Sequence, residues 1–133
     1  MDLSRFVFFD FGTSKGNSFE FAKSMFYAKR GLGIDKNPEK VQLMKEKGYD
    51  CIQADLTQLD LPENSSSFTI ISHCLEHLPD LDAVKCVLRS AKHVSRDFIF
   101  IQGPFLLKQV KEEVHCGYTG VKFGRKIQWP YFT

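Results

Sequence analysis

The chain has 133 residues, of which 18 are Lys or Arg and 16 are Asp or Glu; it is 43% hydrophobic and 26% charged. A chain of this length makes one domain and buries roughly two thirds of its unfolded surface, so it needs neither metals nor disulfides to hold a core, and its ordinary composition excludes global disorder. A net charge of +2 is too small to argue for a nucleic acid or a membrane surface, and no stretch approaches the roughly 18 apolar residues of a membrane span.

The N-terminus, Met1 to Arg5, leads directly into a short apolar run without the length or cleavage site of a signal peptide. Cys51, Cys74, Cys86 and Cys116 form no CxxC pair. They read as reduced thiols, which places the protein in the cytoplasm.

In chain order, Phe6-Val7-Phe8-Phe9 is a continuous apolar run ending at Asp10, the pattern of a strand buried on both faces. A loop with Gly12 and Gly16 follows. Asn17 and Glu20 then have the spacing of a capping box, which predicts a helix to about Lys29 with Gly31 as its stop. Leu32-Gly33-Ile34 is a second short strand ending at Asp35. Asn37-Pro38 predicts the start of a helix over 39–47, closed by Gly48. Cys51 to Ala54 is a third strand ending at Asp55, with a shortened or missing helix after it.

A polar turn over 62–67 precedes a fourth strand, Phe68 to Ser72. Leu81 to Ser95 carries apolar residues at helical spacing, and Asp97 to Ile101 is a fifth strand. This β-α-β-α-β-β-α-β rhythm predicts an α/β fold: a doubly wound, mostly parallel sheet with right-handed crossovers. Beyond it, Leu106 to Val114 has the pattern of a helix, and 117–133 is aromatic, basic and interrupted by glycine and proline.

Ligands of open α/β sheets bind outside the carboxyl ends of the strands. Here those ends carry Asp10, Asp35, Asp55 and the pair Ser72-His73. Three converging carboxylates repel one another unless the ligand offers hydroxyls and positive charge. Gly12 and Gly16 allow a sharp turn and a close backbone approach. The loop is neither a P-loop, which needs GxxxxGK[ST], nor a dinucleotide fingerprint, since Ser14 and Asn17 stand where its later glycines would be. Asp10 would also repel a pyrophosphate there. Asp35 follows Asp10 by 25 positions, near the spacing at which an acid accepts from ribose hydroxyls.

These residues resemble a family. Phe8-Phe9-Asp10-Phe11-Gly12 with Gly16, Gly33-Ile34-Asp35, Gln53-Ala54-Asp55-Leu56, and the block from Ser67 to Asp80 with its Glu76-His77-Leu78-Pro79-Asp80 segment are similar to class I S-adenosylmethionine-dependent methyltransferases. The resemblance covers roughly residues 5–104. It implies a Rossmann-like methyltransferase fold, S-adenosylmethionine as cofactor and a small-molecule methyl acceptor. It also divides a single domain, 1–133, into a cofactor-binding core at 5–104 and a divergent segment at 105–133.

The resemblance further implies roles. Asp10, with Phe11, Gly12, Thr13 and Gly16, would hold the methionine end of the cofactor. Asp35 would take both ribose hydroxyls and Lys36 would flank the adenine. Asp55 would accept from the adenine amino group, and the Leu56 backbone N–H would reach a ring nitrogen. His73 would lie near the methyl group. His73 and His77 are the candidate general bases, because imidazole titrates near neutrality, with Glu76 and His77 opening the next helix beside the substrate. The family adds an antiparallel hairpin after the fifth strand, for which this chain has scarcely enough residues. A missing hairpin would leave a sheet edge open to a homodimer.

Plainer readings stand beside these. Each aspartate is also a residue type that caps a helix, and Glu76-His77 suits any helix's first turn. His73, Cys74, His77 and Cys86 fit no zinc spacing, so no metal is expected, and Cys74 is expected to face the core. His93 and His115 read as solvated or packed. In the tail, Lys122, Arg125 and Lys126 interleave with Tyr118, Phe123, Trp129, Tyr131 and Phe132. A strand or lid over the cleft is favoured there over a nucleic-acid surface. Two rival functions remain: a non-catalytic S-adenosylmethionine-binding or scaffold domain, and a nicotinamide-dependent oxidoreductase.

Overall fold

A computed structural model describes residues 3–13, 16–102 and 121–123. Its strands are β1 (Phe8–Phe11), β2 (Gly31–Asp35), β3 (Asp50–Gln53), β4 (Ser66–Ser72), β5 (Ser95–Gln102) and β6 (Val121–Phe123). The helices are α1 (Asn17–Phe26), α2 (Pro38–Glu46) and α3 (Leu81–Val94), with 3₁₀ turns at Leu3–Arg5, Leu56–Gln58 and Leu75–His77. The sheet order is β3-β2-β1-β4-β5-β6, and every neighbouring pair is parallel. The α/β doubly wound reading therefore holds. The order reverses between β1 and β4, and the carboxyl ends of these two strands are where such a sheet opens a crevice.

Right-handed crossovers put α1 and α2 on one face and α3 on the other. Alternation along the strands feeds both layers. Phe9, Phe11, Ile34, Ile71 and Ile101 pack with Val84, Leu88 and Ala91 of α3. Phe8, Phe68, Ile70 and Phe100 pack with Phe19 and Ala22 of α1 and Val41 and Met44 of α2. Every residue of β1 and β2 is buried, as the continuous apolar run requires. Much of the phenylalanine forms one stack: Phe8 lies on Phe68 with centroids 5.3 Å apart, and Phe68 on Phe98 at 4.7 Å. Phe26 meets Phe68 edge-on at 5.1 Å.

Several local expectations give way. The Asn17–Glu20 capping box does not form. Gly16 is the N-cap, left-handed at φ 87°, and no side chain caps the helix. Glu20 instead accepts from the Tyr49 hydroxyl at 3.0 Å. The helix stops at Phe26, with Tyr27 left-handed at φ 55° and its N–H bonded to the Ala22 carbonyl. Gly31 is not that helix's stop; it opens β2, where a Cβ would run into the Phe8 ring. Asp10 lies inside β1 rather than after it, because the strand runs on to Phe11. Asn37 caps α2 as expected, accepting from the Glu39 N–H at 2.9 Å.

The missing helix between β3 and β4 is the single turn Leu56–Gln58. The strand beside β5 runs parallel to it, unlike the antiparallel hairpin that the resemblance adds. The helix over 106–114, most of the aromatic tail, His115 and Cys116 lie outside the described residues.

Because Phe8 fills the space above Gly31, Gly31→Ala should destabilise the protein by about 1–3 kcal/mol through overpacking. Urea unfolding of the two proteins measures this; an unchanged midpoint would show that the aromatic layer yields freely.

Candidate functional site

The site begins with a register. Asp10 of β1 pairs with Gly33 of β2, and Gly33 pairs with Cys51 of β3. Paired residues of a parallel sheet share a face, and so does a residue two positions on. Asp10, Asp35 and Cys51 therefore stand together on the α1/α2 face, around a position without a side chain. The Thr13 side chain folds into that gap: a Cβ on Gly33 would meet its Oγ1 at 2.9 Å. Gly33 is thus the strand glycine that lets the loop after β1 press onto β2.

Asp10 is completely buried. Neither of its carboxylate oxygens has a hydrogen-bond partner of good geometry, and the buried Thr13 hydroxyl is in the same condition. Burial raises the Asp10 pKa from 3.8 to about 7; the neighbouring Thr13 and Ser18 hydroxyls pull it down, and the Asp35 charge pushes it further up. Burial, with the nearby Asp35 and Asp10 carboxyls, likewise raises the Cys51 thiol to about 11. A thiol held protonated in this way is a packing group and not a nucleophile.

The loop that closes over these groups has two left-handed glycines, Gly12 at φ 75° and Gly16 at φ 87°. The Gly12 N–H donates to the Ile34 carbonyl at 2.8 Å, which ties the loop to β2. On its other side Cys74, from the segment after β4, packs so closely that a Cβ on Gly12 would meet its Sγ at 3.1 Å. Cys74 is half-buried and packs against the α3-side core, as expected. Phe11 points into the opposite core, so only its backbone faces the loop.

Asp35, the last residue of β2, is buried, and its Oδ1 accepts from the Asn37 N–H at 2.9 Å. Lys36 beside it is exposed, and its carbonyl accepts from Gln53 Nε2 at 3.3 Å. Asp55 is exposed and caps the turn after β3, accepting from the Thr57 N–H at 2.9 Å and the Thr57 hydroxyl at 2.7 Å. Those two bonds hold its carboxyl below the usual range. The capping reading is therefore correct for Asp55, and it leaves the carboxylate exposed at the strand end. The Leu56 side chain is in the α3-side core.

His73 ends the β4 side of the crevice. It is exposed and left-handed at φ 51°, a costly conformation for a residue other than glycine, and its N–H donates to the Gln102 carbonyl at 2.7 Å. His77 is exposed at the end of the turn Leu75–His77. Glu76 and His77 do not open α3. Leu78 is extended at ψ 149°, as a residue before proline prefers, and α3 starts at Leu81, capped by Asp80 Oδ1 accepting from the Ala83 N–H at 2.8 Å. Among the described residues, no group of three His, Cys, Asp or Glu side chains could hold a metal ion.

The sequence reading missed Gly33, Cys51 and Ser18 as parts of this cluster. Gly33 had a signal, a glycine in the interior of a strand. Cys51 and Ser18 had none, because only the pairing of β2 with β3 and the seating of α1 bring them to Asp10.

A family model described as a methyltransferase domain matches residues 9–97. The chain belongs to that family, the class I S-adenosylmethionine-dependent methyltransferases, and the cofactor this membership implies is S-adenosylmethionine. No curated protein gives a significant sequence match.

Solved structures share the fold. A methyltransferase from Methanosarcina mazei superposes with a TM-score of 0.63 at 17% identity, covering 81% of this chain and 58% of its own. One from Archaeoglobus fulgidus gives 0.59 at 22%, covering 71% and 42%. The [4+2]-cyclase SpnF gives 0.55 at 19%, covering 70% and 36%. The chain thus spans about half or less of the length of many of the structures it matches.

The residues present suit the implied cofactor. A buried carboxylate without a partner answers a cationic amino-acid end, and left-handed glycines leave the backbone bare for a close approach.

Asp10 also makes stability depend on pH. Folding keeps its carboxyl protonated, so its contribution is intact below about 3.8 and is lost as pH rises through about 7. Asp10→Asn should remove this slope. The variant should match the parent near pH 4 and exceed it at pH 8 by at most on the order of 4 kcal/mol. Urea unfolding at both pH values measures this; the same pH profile in both proteins would contradict the burial argument.

Proposed function

We propose that this chain binds S-adenosylmethionine in the crevice between β1 and β4 and transfers its methyl group to a small-molecule acceptor. The observation that carries the reading is the unpartnered, fully buried Asp10 beside Asp35 at the point where the strand order reverses. Asp10 and the backbone of Phe11, Gly12, Thr13 and Gly16 would hold the methionine end. Asp35 would accept from the ribose hydroxyls, Lys36 would flank the base, and Asp55 with the Leu56 N–H would read the adenine edge.

When bound, the cofactor supplies a methyl group already activated by its sulfonium, so orientation of the acceptor accounts for much of the rate. His73 and His77, both exposed on the β4 side, are the proposed bases for an acceptor that must lose a proton. Cys51, Cys74 and Cys86 are in no disulfide among the described residues, which favours a reducing, cytoplasmic setting. No described helix is long and apolar enough to cross a membrane.

A second reading is a cofactor-binding domain without methyl transfer. Its support is a cyclase among the structures that share the fold. The nicotinamide reading has the loop against it, because Asp10 stands where a pyrophosphate would have to approach.

Calorimetry should detect S-adenosylhomocysteine and not NADH; the reverse would reject the proposal. Incubation with methyl-labelled cofactor and cell extract should label a low-molecular-weight acceptor. Binding without any labelled product would favour the non-catalytic reading. Asp35→Ala should weaken nucleoside binding at least about tenfold, the worth of one charge-assisted hydrogen bond. Unchanged affinity would remove Asp35 from the ribose.

A further inference from the structure

The Asp10 carboxyl has a surrounding that explains neither of its charge states well. Across β2 it faces the buried Asp35 carboxyl, and across β3 the Cys51 thiol. From the loop and α1 it faces the hydroxyls of Thr13 and Ser18. Its partner in β4, Ile70, is apolar, and Met44 of α2 packs on the Gly16 end of the loop. Lys45 of α2 acts on Cys51 and is itself exposed. No described lysine, arginine or histidine is among the groups that shape the Asp10 carboxyl.

A charge at Asp10 is therefore dry, without a hydrogen bond of good geometry and next to a second acid; all three disfavour it. The neutral acid costs less, yet it too is without a hydrogen bond of good geometry. A fixed positive charge arriving at the crevice resolves both conditions.

We infer that occupation of the crevice by a cationic ligand is coupled to loss of one proton from Asp10, so that the grip of this chain on its cofactor strengthens as pH rises. This rests on the cofactor reading above and extends it. In the coupled step the O–H bond of the Asp10 carboxyl breaks and the proton leaves to solvent buffer. The ligand's ammonium or sulfonium becomes the counter-charge of the carboxylate. No other bond changes. The direction follows from linkage: a ligand that binds only the ionised acid must pay for ionisation at low pH and not at high pH.

The test is calorimetric titration of the full chain with S-adenosylhomocysteine in two buffers of very different ionisation enthalpy. With the free carboxyl titrating at about 7, roughly three quarters of a proton should be released at pH 6.5 and almost none at pH 8.5. Affinity should rise about thirtyfold between pH 5.5 and pH 8. In Asp10→Asn the buffer dependence should vanish and the affinity should become flat over that range.

Equal apparent heats in both buffers at pH 6.5 would overturn the inference while leaving the cofactor reading intact. So would proton release that persists in Asp10→Asn. Absence of binding at any pH would overturn both. Carbon-13 titration of the carboxyls in the unaltered protein follows the same proton without a substitution. One carboxyl should titrate near neutrality in the free protein and lose that transition when the ligand is bound; its absence would contradict the inference.

Discussion

A carboxyl group buried in the middle of a parallel sheet is the constraint around which this protein is arranged. Asp10 has apolar neighbours along its own strand, an isoleucine beside it in β4, and a second acid on the same face of β2. Such a group is a stability cost that folding alone does not explain. The surroundings are shaped to keep it there. Gly33 makes room for Thr13, Gly12 and Gly16 bend the loop over the strand end, and Cys74 wedges that loop from the β4 side. A cationic ligand, as proposed above, would give each of these features a use.

The same arrangement explains why the aromatic residues matter here. The stack running from Phe8 through Phe68 to Phe98, edged by Phe26, makes the sheet face next to the site dry and rigid. A dry wall raises the energy of an isolated charge and strengthens a charge pair formed against it. The phenylalanines that hold α1 on the sheet thus lie on the same face of the sheet as Asp10.

Much of this was legible from residue order. The apolar run Phe6 to Phe9 announced a strand buried on both faces, and Asn37-Pro38 announced a helix start, because both signals are local. Strand-end acids pointed to the crevice because the β-α rhythm already fixes which end of the sheet is open. What escaped was non-local or decided by competition. Glu20 had a capping role available but is held by Tyr49, which only the fold brings near. Glu76 and His77 had the composition of a first helical turn, yet Pro79 forces Leu78 to be extended and delays the helix. Asp55 looked equivalent to Asp10 and Asp35 in sequence. In space it is an exposed cap, while the other two are buried.

Family membership and the site speak to different things. The match over residues 9–97 assigns the family, and a cyclase on the same fold shows that this scaffold carries more than one chemistry. The claim particular to this chain is that two buried acids at the β1–β4 crevice receive a sulfur nucleoside. A crystal structure of the chain with S-adenosylhomocysteine tests it most directly. The account predicts the ribose hydroxyls on Asp35, and the amino-acid end against Asp10 and the Gly12 to Gly16 loop. A nucleoside seated elsewhere, or an empty crevice at saturating ligand, would contradict it.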